Sequence, residues 1–220
     1  FRNKYPSVVD YFTQNGYYTR TLGKIHHGPS DYNTSEKHYK YTTTYYSDPK
    51  NISFIKGKDK KEFTNQIQPW EHADLPDDQY PDGQICDETI ETIRRAVKQD
   101  KPFFIAPGFK KPHLSFVCPK KYYDLYKTED VQLAFNPQLG PSQATYSVNN
   151  DGVYKWWNYK KQGIDDKNAR QLKHSYMACI SFIDAQVGMI MKELDDLGIA
   201  DNTAIMFWSD HGFHLGEYTN

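Results

Sequence analysis

Pro102-Phe103-Phe104-Ile105-Ala106-Pro107 is a short apolar run without alternation, and Gly108-Phe109-Lys110-Lys111-Pro112-His113 follows it directly. Continuous apolar character predicts a strand buried on both faces, as in a parallel sheet. The stretch before it, Asp87 to Gln99, carries Ile90, Ile93 and Ala96 on one stripe and predicts a helix. A helix feeding a buried strand that empties into a polar loop is the repeating unit of a parallel α/β domain.

Working outward, the same unit recurs on both sides. Val8 to Asn15 places Val8, Val9, Tyr11 and Phe12 at helical spacing and stops at Gly16, a suitable C-cap. Tyr17 to Leu22 then reads as a strand, leading into Gly23-Lys24-Ile25-His26-His27. Downstream, Leu172, Tyr176, Cys179, Ile183, Val187, Ile190, Leu194 and Leu197 define one long amphipathic helix ending at Gly198. Thr203 to Trp208 predicts a third strand, with Ser209-Asp210-His211-Gly212-Phe213 at its end. The order predicts an α/β fold with a central, largely parallel or mixed sheet flanked by helices. Residues 1–220 read as one incomplete domain without internal repeats. Ser30 to Gly83 reads as a polar excursion able to form the lip of a site, and its run Lys56 to Lys61 as a solvated face. A short helix is expected over residues 119–126, then a loop-rich span to Ile164.

Composition narrows the function classes. Lysine and arginine total 27 against 28 acids, a net charge of −1, which lacks the broad basic field of a nucleic-acid-binding protein. No apolar run approaches the roughly 18 residues that span a bilayer. Cys86, Cys118 and Cys179 show no CxxC spacing, which removes zinc-ribbon and thioredoxin readings, and Cys179 falls within the helical core pattern. Tyr39, Tyr41, Tyr45 and Tyr46 cluster within one polar stretch, as an aromatic-rich surface or a platform for a sugar ring. Asn33-Thr34-Ser35 and Asn51-Ile52-Ser53 are glycosylation sequons and lean towards a secretory route. The first residues, Phe1-Arg2-Asn3, show no signal-peptide pattern and no initial Met, and both ends are expected to be cuts.

Ligands of open α/β sheets bind beyond the carboxyl ends of the strands. Each of the three expected ends delivers a polar cluster: Lys24 with His26 and His27, Lys111 with His113, and Asp210 with His211. Lysine offers a point charge to an anion, histidine moves protons near neutral pH, and aspartate is a hard oxygen ligand for a divalent cation. Together they suit a phosphate or sulfate ester.

The chain resembles the type I sulfatases of the alkaline-phosphatase-like superfamily, and within them the iduronate-2-sulfatase branch. The resemblance rests on Asp10 to Tyr17, Gly23 to His27, Leu75-Pro76-Asp77 and Tyr80-Pro81-Asp82-Gly83, then Lys101 to Phe104 with Lys111-Pro112-His113. It continues through Ser175-Tyr176, Ser181, Asp184 and Val187-Gly188 to Ser209 to Phe213 with Leu215-Gly216-Glu217.

The resemblance implies hydrolysis of a sulfate monoester by a formylglycine, made from the Cys or Ser of a Cys/Ser-x-Pro-x-Arg motif, beside a bound Ca2+. It implies that Asp210 and His211 bind the metal and that Lys24 contacts the sulfate or the hydrated nucleophile. It implies that His113 contacts the sulfate and can protonate the leaving oxygen. His27, rather than His26, is favoured as acceptor of the hydrate proton, because the iduronate branch places this histidine three residues after the lysine. The implied substrate is a sulfated glycosaminoglycan or other sulfated carbohydrate, with 2-sulfated iduronate units of heparan or dermatan sulfate foremost, and the implied location is lysosomal or secreted. No Cys/Ser-x-Pro-x-Arg occurs in the 220 residues, so the nucleophile is expected upstream and this chain alone is expected to be inactive. A phosphoesterase or phosphonate hydrolase of the same superfamily, and a glycan-binding homologue without catalysis, are the competing expectations.

Overall fold

A computed structural model describes residues 6–25, 69–135, 153 and 164–215. In chain order the described elements are helix α1 (Val8–Gln14), strands β1 (Tyr18–Gly23) and β2 (Trp70–Ala73), and helix α2 (Pro81–Val97). Strands β3 (Phe103–Gly108) and β4 (Phe116–Pro119), helix α3 (Lys120–Tyr123) and the long helix α4 (Asp166–Asp196) follow. Single 3-10 turns lie at Asp77–Gln79, Thr128–Asp130 and Ala200–Asn202. The chain divides into two compact units.

The first unit draws on Phe1–Pro49, Pro76–Lys110 and Ile183–Thr203. Ser7 caps α1 through a reciprocal box: its hydroxyl accepts from the Asp10 amide at 3.1 Å, and the Asp10 carboxylate accepts from the Ser7 amide at 3.0 Å. Gly16, at φ +83°, ends the helix as expected. Phe12 then stacks on Phe104 of β3 with centroids 4.4 Å apart. Strands β1 and β3 pair in parallel, from Tyr18 opposite Phe103 to Gly23 opposite Gly108. The parallel pairing and the buried β1 match the expected α/β class, whereas β3, expected to be buried on both faces, is half-buried along its length.

Helix α2 begins earlier than its apolar stripe alone suggests. Pro81 stands in the first turn, where its fixed φ suits a helix and its missing N–H costs nothing. Ile85, Cys86, Thr89, Ile93 and Ala96 form its buried face. Cys86 donates to the Gln186 carbonyl of α4 at 3.3 Å, and burial pushes its thiol pKa up to about 12. Arg94 grips Glu193 of α4 through two bonds of 2.8 Å, which hold the Glu193 carboxyl below its usual range.

The second unit draws on Lys50–Leu75, Lys111–Phe182 and Ala204–Asn220. Strands β2 and β4 pair in parallel, Trp70 opposite Phe116 through Ala73 opposite Pro119. Residues 69–83 therefore hold a strand, a turn and the start of α2, where the sequence suggested only polar excursion; residues 30–68 lie outside the described set. Leu172, Ala178, Cys179 and Phe182 of α4 are buried with Phe116, Cys118 and Tyr122. Full burial of a Leu or Phe side chain contributes roughly 1.5–3 kcal/mol. The Tyr123 ring lies between two imidazoles, His72 at 4.1 Å and His174 at 3.8 Å between centroids. His174 donates from Nε2 to the Tyr123 carbonyl and accepts at Nδ1 from the Thr128 hydroxyl, both at 2.8 Å.

One expected element does not form. Thr203 to Trp208 carries no strand pairing among the described residues, and Ile205, Met206, Phe207 and Trp208 are 55% to 82% exposed. A strand exists only through bonds to a neighbour, and neither described parallel pair includes this run.

Candidate active site

In the first unit, Lys24 leaves the carboxyl end of β1. Its backbone N–H donates to the Gly108 carbonyl at 2.6 Å, extending the parallel ladder one step past Gly23. The two strand ends are so close that a Cβ on Gly108 would lie 2.1 Å from the Lys24 carbonyl oxygen. A Cβ on Gly23 would lie 2.2 Å from that of Gly108. Only glycine permits this approach. Just beyond β3, the Lys110 amide donates to the buried Asp82 carboxylate at 2.7 Å. His26 and His27 lie outside the described residues.

In the second unit, the loop after β3 presents His113. A carbonyl oxygen can only accept, so the 2.7 Å contact from His113 Nδ1 to the Leu114 carbonyl places a proton on Nδ1. The Lys111 ammonium turns onto main-chain carbonyls, donating to His113 at 2.9 Å and Ser115 at 2.5 Å. It therefore braces the loop, whereas the sequence suggested a point charge for the substrate anion.

Asp210 and His211 sit on an exposed turn. The Ser209 hydroxyl donates to the His211 carbonyl at 3.0 Å, and the His211 amide donates to Asp210 Oδ1 at 3.1 Å. His211 Nδ1 donates to the Gly212 carbonyl at 2.9 Å, and its Nε2 lies 3.8 Å from Asp210 Oδ2. Their side chains are 60% and 70% exposed, His211 and Asp210 respectively.

Phe213 brings these two predicted clusters together. Its ring meets His113 edge-on at 5.8 Å and His211 at 5.9 Å, and is itself held by Phe116 at 5.8 Å and Tyr176 at 6.3 Å. Two histidines almost a hundred residues apart in sequence thus share one aromatic hub. The sequence pointed to both imidazoles but not to the ring that joins them; the only signal was an aromatic residue immediately after the Asp-His-Gly turn.

A profile of the sulfatase family matches residues 1–220. The chain belongs to the sulfatase family. This sulfatase chain is 32% identical to the iduronate 2-sulfatase of Mus musculus and 30% identical to that of Homo sapiens. Each alignment covers 97% of this chain and 41% of the relative, so the chain spans less than half the length of these proteins. An arylsulfatase of Clostridium perfringens is 32% identical over 69% of this chain and 30% of its own length. The phosphonate monoester hydrolase of Agrobacterium radiobacter has a similar structure, with a TM-score of 0.54 at 21% identity, covering 71% of this chain and 34% of that one. That likeness supports the alkaline-phosphatase-like α/β fold.

The donors at Asp210 and His211 fit a divalent cation in kind: a carboxylate and, with Nδ1 committed to a carbonyl, an Nε2 lone pair in the neutral ring. They are few in number. Calcium takes about 6–8 ligands, and no group of three or more His, Cys, Asp and Glu among the described residues could hold a metal ion. No described helix is long and apolar enough to cross a membrane.

Proposed function

We propose that this chain is part of a sulfuric ester hydrolase that removes sulfate from a sulfated carbohydrate, with 2-sulfated iduronate units of heparan or dermatan sulfate as the preferred substrate. The observation that carries the reading is the convergence of His113 and His211 on Phe213 in a chain of this family. The substrate follows from the iduronate 2-sulfatase relatives, and a lysosomal or secreted location goes with that substrate. Residues 1–220 then form part of a catalytic domain, and the formylglycine motif, absent from these residues, comes from elsewhere in a longer protein.

Each residue has a role that its own chemistry supports. With Nδ1–H held by the Leu114 carbonyl, His113 exchanges protons at Nε2 and passes one to the leaving oxygen. Lys24 carries over from the Gly-Lys-Ile-His-His motif as an ammonium that offsets sulfate charge. His27, from the same motif, accepts a proton as sulfate leaves. Asp210 and His211 would contribute a carboxylate oxygen and Nε2 to a Ca2+ site, and the bound cation would supply positive charge to offset that of the sulfate.

The test is an assay of the full-length protein on a 2-sulfated iduronate disaccharide, aryl sulfates and phosphonate or phosphate monoesters. Sulfate release from the disaccharide supports the reading. Turnover of aryl sulfates alone removes the substrate, and preference for the phosphorus esters replaces the sulfatase by a phosphoesterase. Binding of the disaccharide without any turnover marks a glycan-binding homologue.

A further inference from the structure

Asp82 is a carboxylate with no part in the proposed chemistry, yet it is 2% exposed. Burial of such a group is costly unless its oxygens are bonded. Two features of the first unit compensate. Asp82 stands in the first turn of α2, where the aligned peptide dipoles favour negative charge. Its Oδ1 also accepts the backbone N–H of Lys110 at 2.7 Å.

The Lys110 amide lies two residues past Gly108, whose carbonyl in turn holds the Lys24 amide at 2.6 Å. The helix end bearing the carboxylate is fixed as well. A Cβ on Gly83 would fall 2.0 Å from the Asp77 carbonyl oxygen, so the first turn of α2 lies hard against the Asp77–Gln79 turn. From helix end to carboxylate, to the exit of β3, to the exit of β1, every link is a short contact to main chain.

We infer that Asp82 is a positioning residue: its carboxylate fixes the exit of β3 and, through Gly108, the backbone from which the Lys24 side chain departs. The inference rests on the proposed role of Lys24 for its catalytic consequence. Its structural content stands apart from that role. A side chain that only capped α2 would stabilise the helix and leave the strand exits unaffected. Asp82 instead spans from α2 to the loop that begins at Lys110 and leads to His113.

The experiment compares D82A and D82N in the full-length protein by amide hydrogen exchange and by steady-state sulfatase kinetics. D82A removes the acceptor, whereas D82N keeps an oxygen at the same place. In D82A, exchange should accelerate at Lys110 and Lys24, with the Leu197 amide, bonded to the Glu193 carbonyl just past the end of α4, unchanged. kcat should fall on the order of 100-fold, the cost of displacing a positioned group by about 1 Å, with a much smaller change in KM. D82N should retain protection at both amides and lose no more than about a tenth of that factor in kcat. Unchanged exchange at Lys24 in D82A overturns the inference, as does equal damage by both variants, which would mark a need for the charge alone. If D82A does not fold, D82N decides: lost protection at Lys110 or Lys24 overturns the inference, and retained protection with the smaller kcat loss supports it. Accelerated exchange in D82A, in a protein whose wild type releases no sulfate, keeps the positioning link and removes the sulfatase reading.

Discussion

Replacing Gly108 by alanine tests whether the two strand exits are as close as the structure requires. The new Cβ would meet the Lys24 carbonyl oxygen at 2.1 Å, the Lys24 carbonyl carbon at 2.4 Å and Ile25 Cδ1 at 2.9 Å. The isoleucine tip can rotate away, but the Lys24 carbonyl is main chain. Relief to the 3.4 Å of ordinary contact needs a movement of about 1.3 Å between the strand ends, given the 2.1 Å start. The Lys24 N–H that bonds Gly108 belongs to the same residue and would move with it. Overpacking costs about 1–3 kcal/mol, and a lost hydrogen bond about 1 kcal/mol more. The expected loss of unfolding free energy is therefore about 2–4 kcal/mol, read by urea denaturation of the full-length protein. kcat should fall on the order of 100-fold if Lys24 serves the reaction. A G108A protein with wild-type stability and wild-type kcat would refute the close approach and the reasoning built on it.

Three further outcomes are expected. Burial, reinforced by nearby His174, lowers the His72 pKa to about 3. The unfolded chain binds this proton below about pH 6.5 while the folded one does not, so stability is full above that value and declines as pH falls towards 3, by about 2 kcal/mol at pH 5. H72F keeps a ring against Tyr123 and should flatten that part of the urea-midpoint profile; parallel profiles for the two proteins would exclude His72 as the cause. F213A should cost about 3 kcal/mol, because the residue is half-buried, and should lower kcat more than it raises KM as His113 and His211 lose their shared support; an unchanged kcat would show that the hub does not serve the site. G188A, in an exposed position of α4 with nothing within 4 Å of the new Cβ, should raise stability by about 0.5–1 kcal/mol, and a lower urea midpoint would contradict it.

The elements legible in the sequence are those whose signal lies within the element. The apolar stripe from Leu172 to Leu197 needs only helical spacing, and β3 needs only its continuous apolar run. Strand β2 has no such signal: Trp70-Glu71-His72-Ala73 becomes a strand because Phe116 to Pro119 lies beside it in register, a partner 46 positions away in the His72–Cys118 pair. The start of α2 was hidden for a different reason. Pro81 and Gly83 fall in the stretch that reads as polar excursion, yet one suits a first helical turn and the other answers a contact from Asp77 that only folding creates. Thr203 to Trp208 shows the converse error: apolar residues create a need for a partner without supplying one, and composition cannot tell the two apart. At the candidate site, His113, Asp210 and His211 were visible as chemical types at loop positions. The meeting of His113 and His211 at Phe213, and the diversion of Lys111 onto backbone carbonyls, depend on tertiary geometry.

His113 and His211 share a device that bears on their division of labour. In each, Nδ1 donates to the carbonyl of the next residue, Leu114 at 2.7 Å and Gly212 at 2.9 Å. A neutral imidazole carries one proton, so fixing it at Nδ1 leaves the lone pair at Nε2 in both rings. The tautomer is thus set by local backbone, independent of any ligand. A cation needs Nε2 unprotonated, whereas protonation of a leaving oxygen needs a proton there, and identical tautomers can serve both tasks only if their surroundings differ. Here they do. His211 stands on an open turn with the Asp210 carboxylate 3.8 Å from its Nε2, offering a second donor of the kind a hard cation takes. His113 stands on the loop braced by Lys111 and meets Phe213 edge-on. Under the proposed reading, the Asp210 carboxylate near its Nε2 marks His211 as the metal ligand, and His113 is the proton donor.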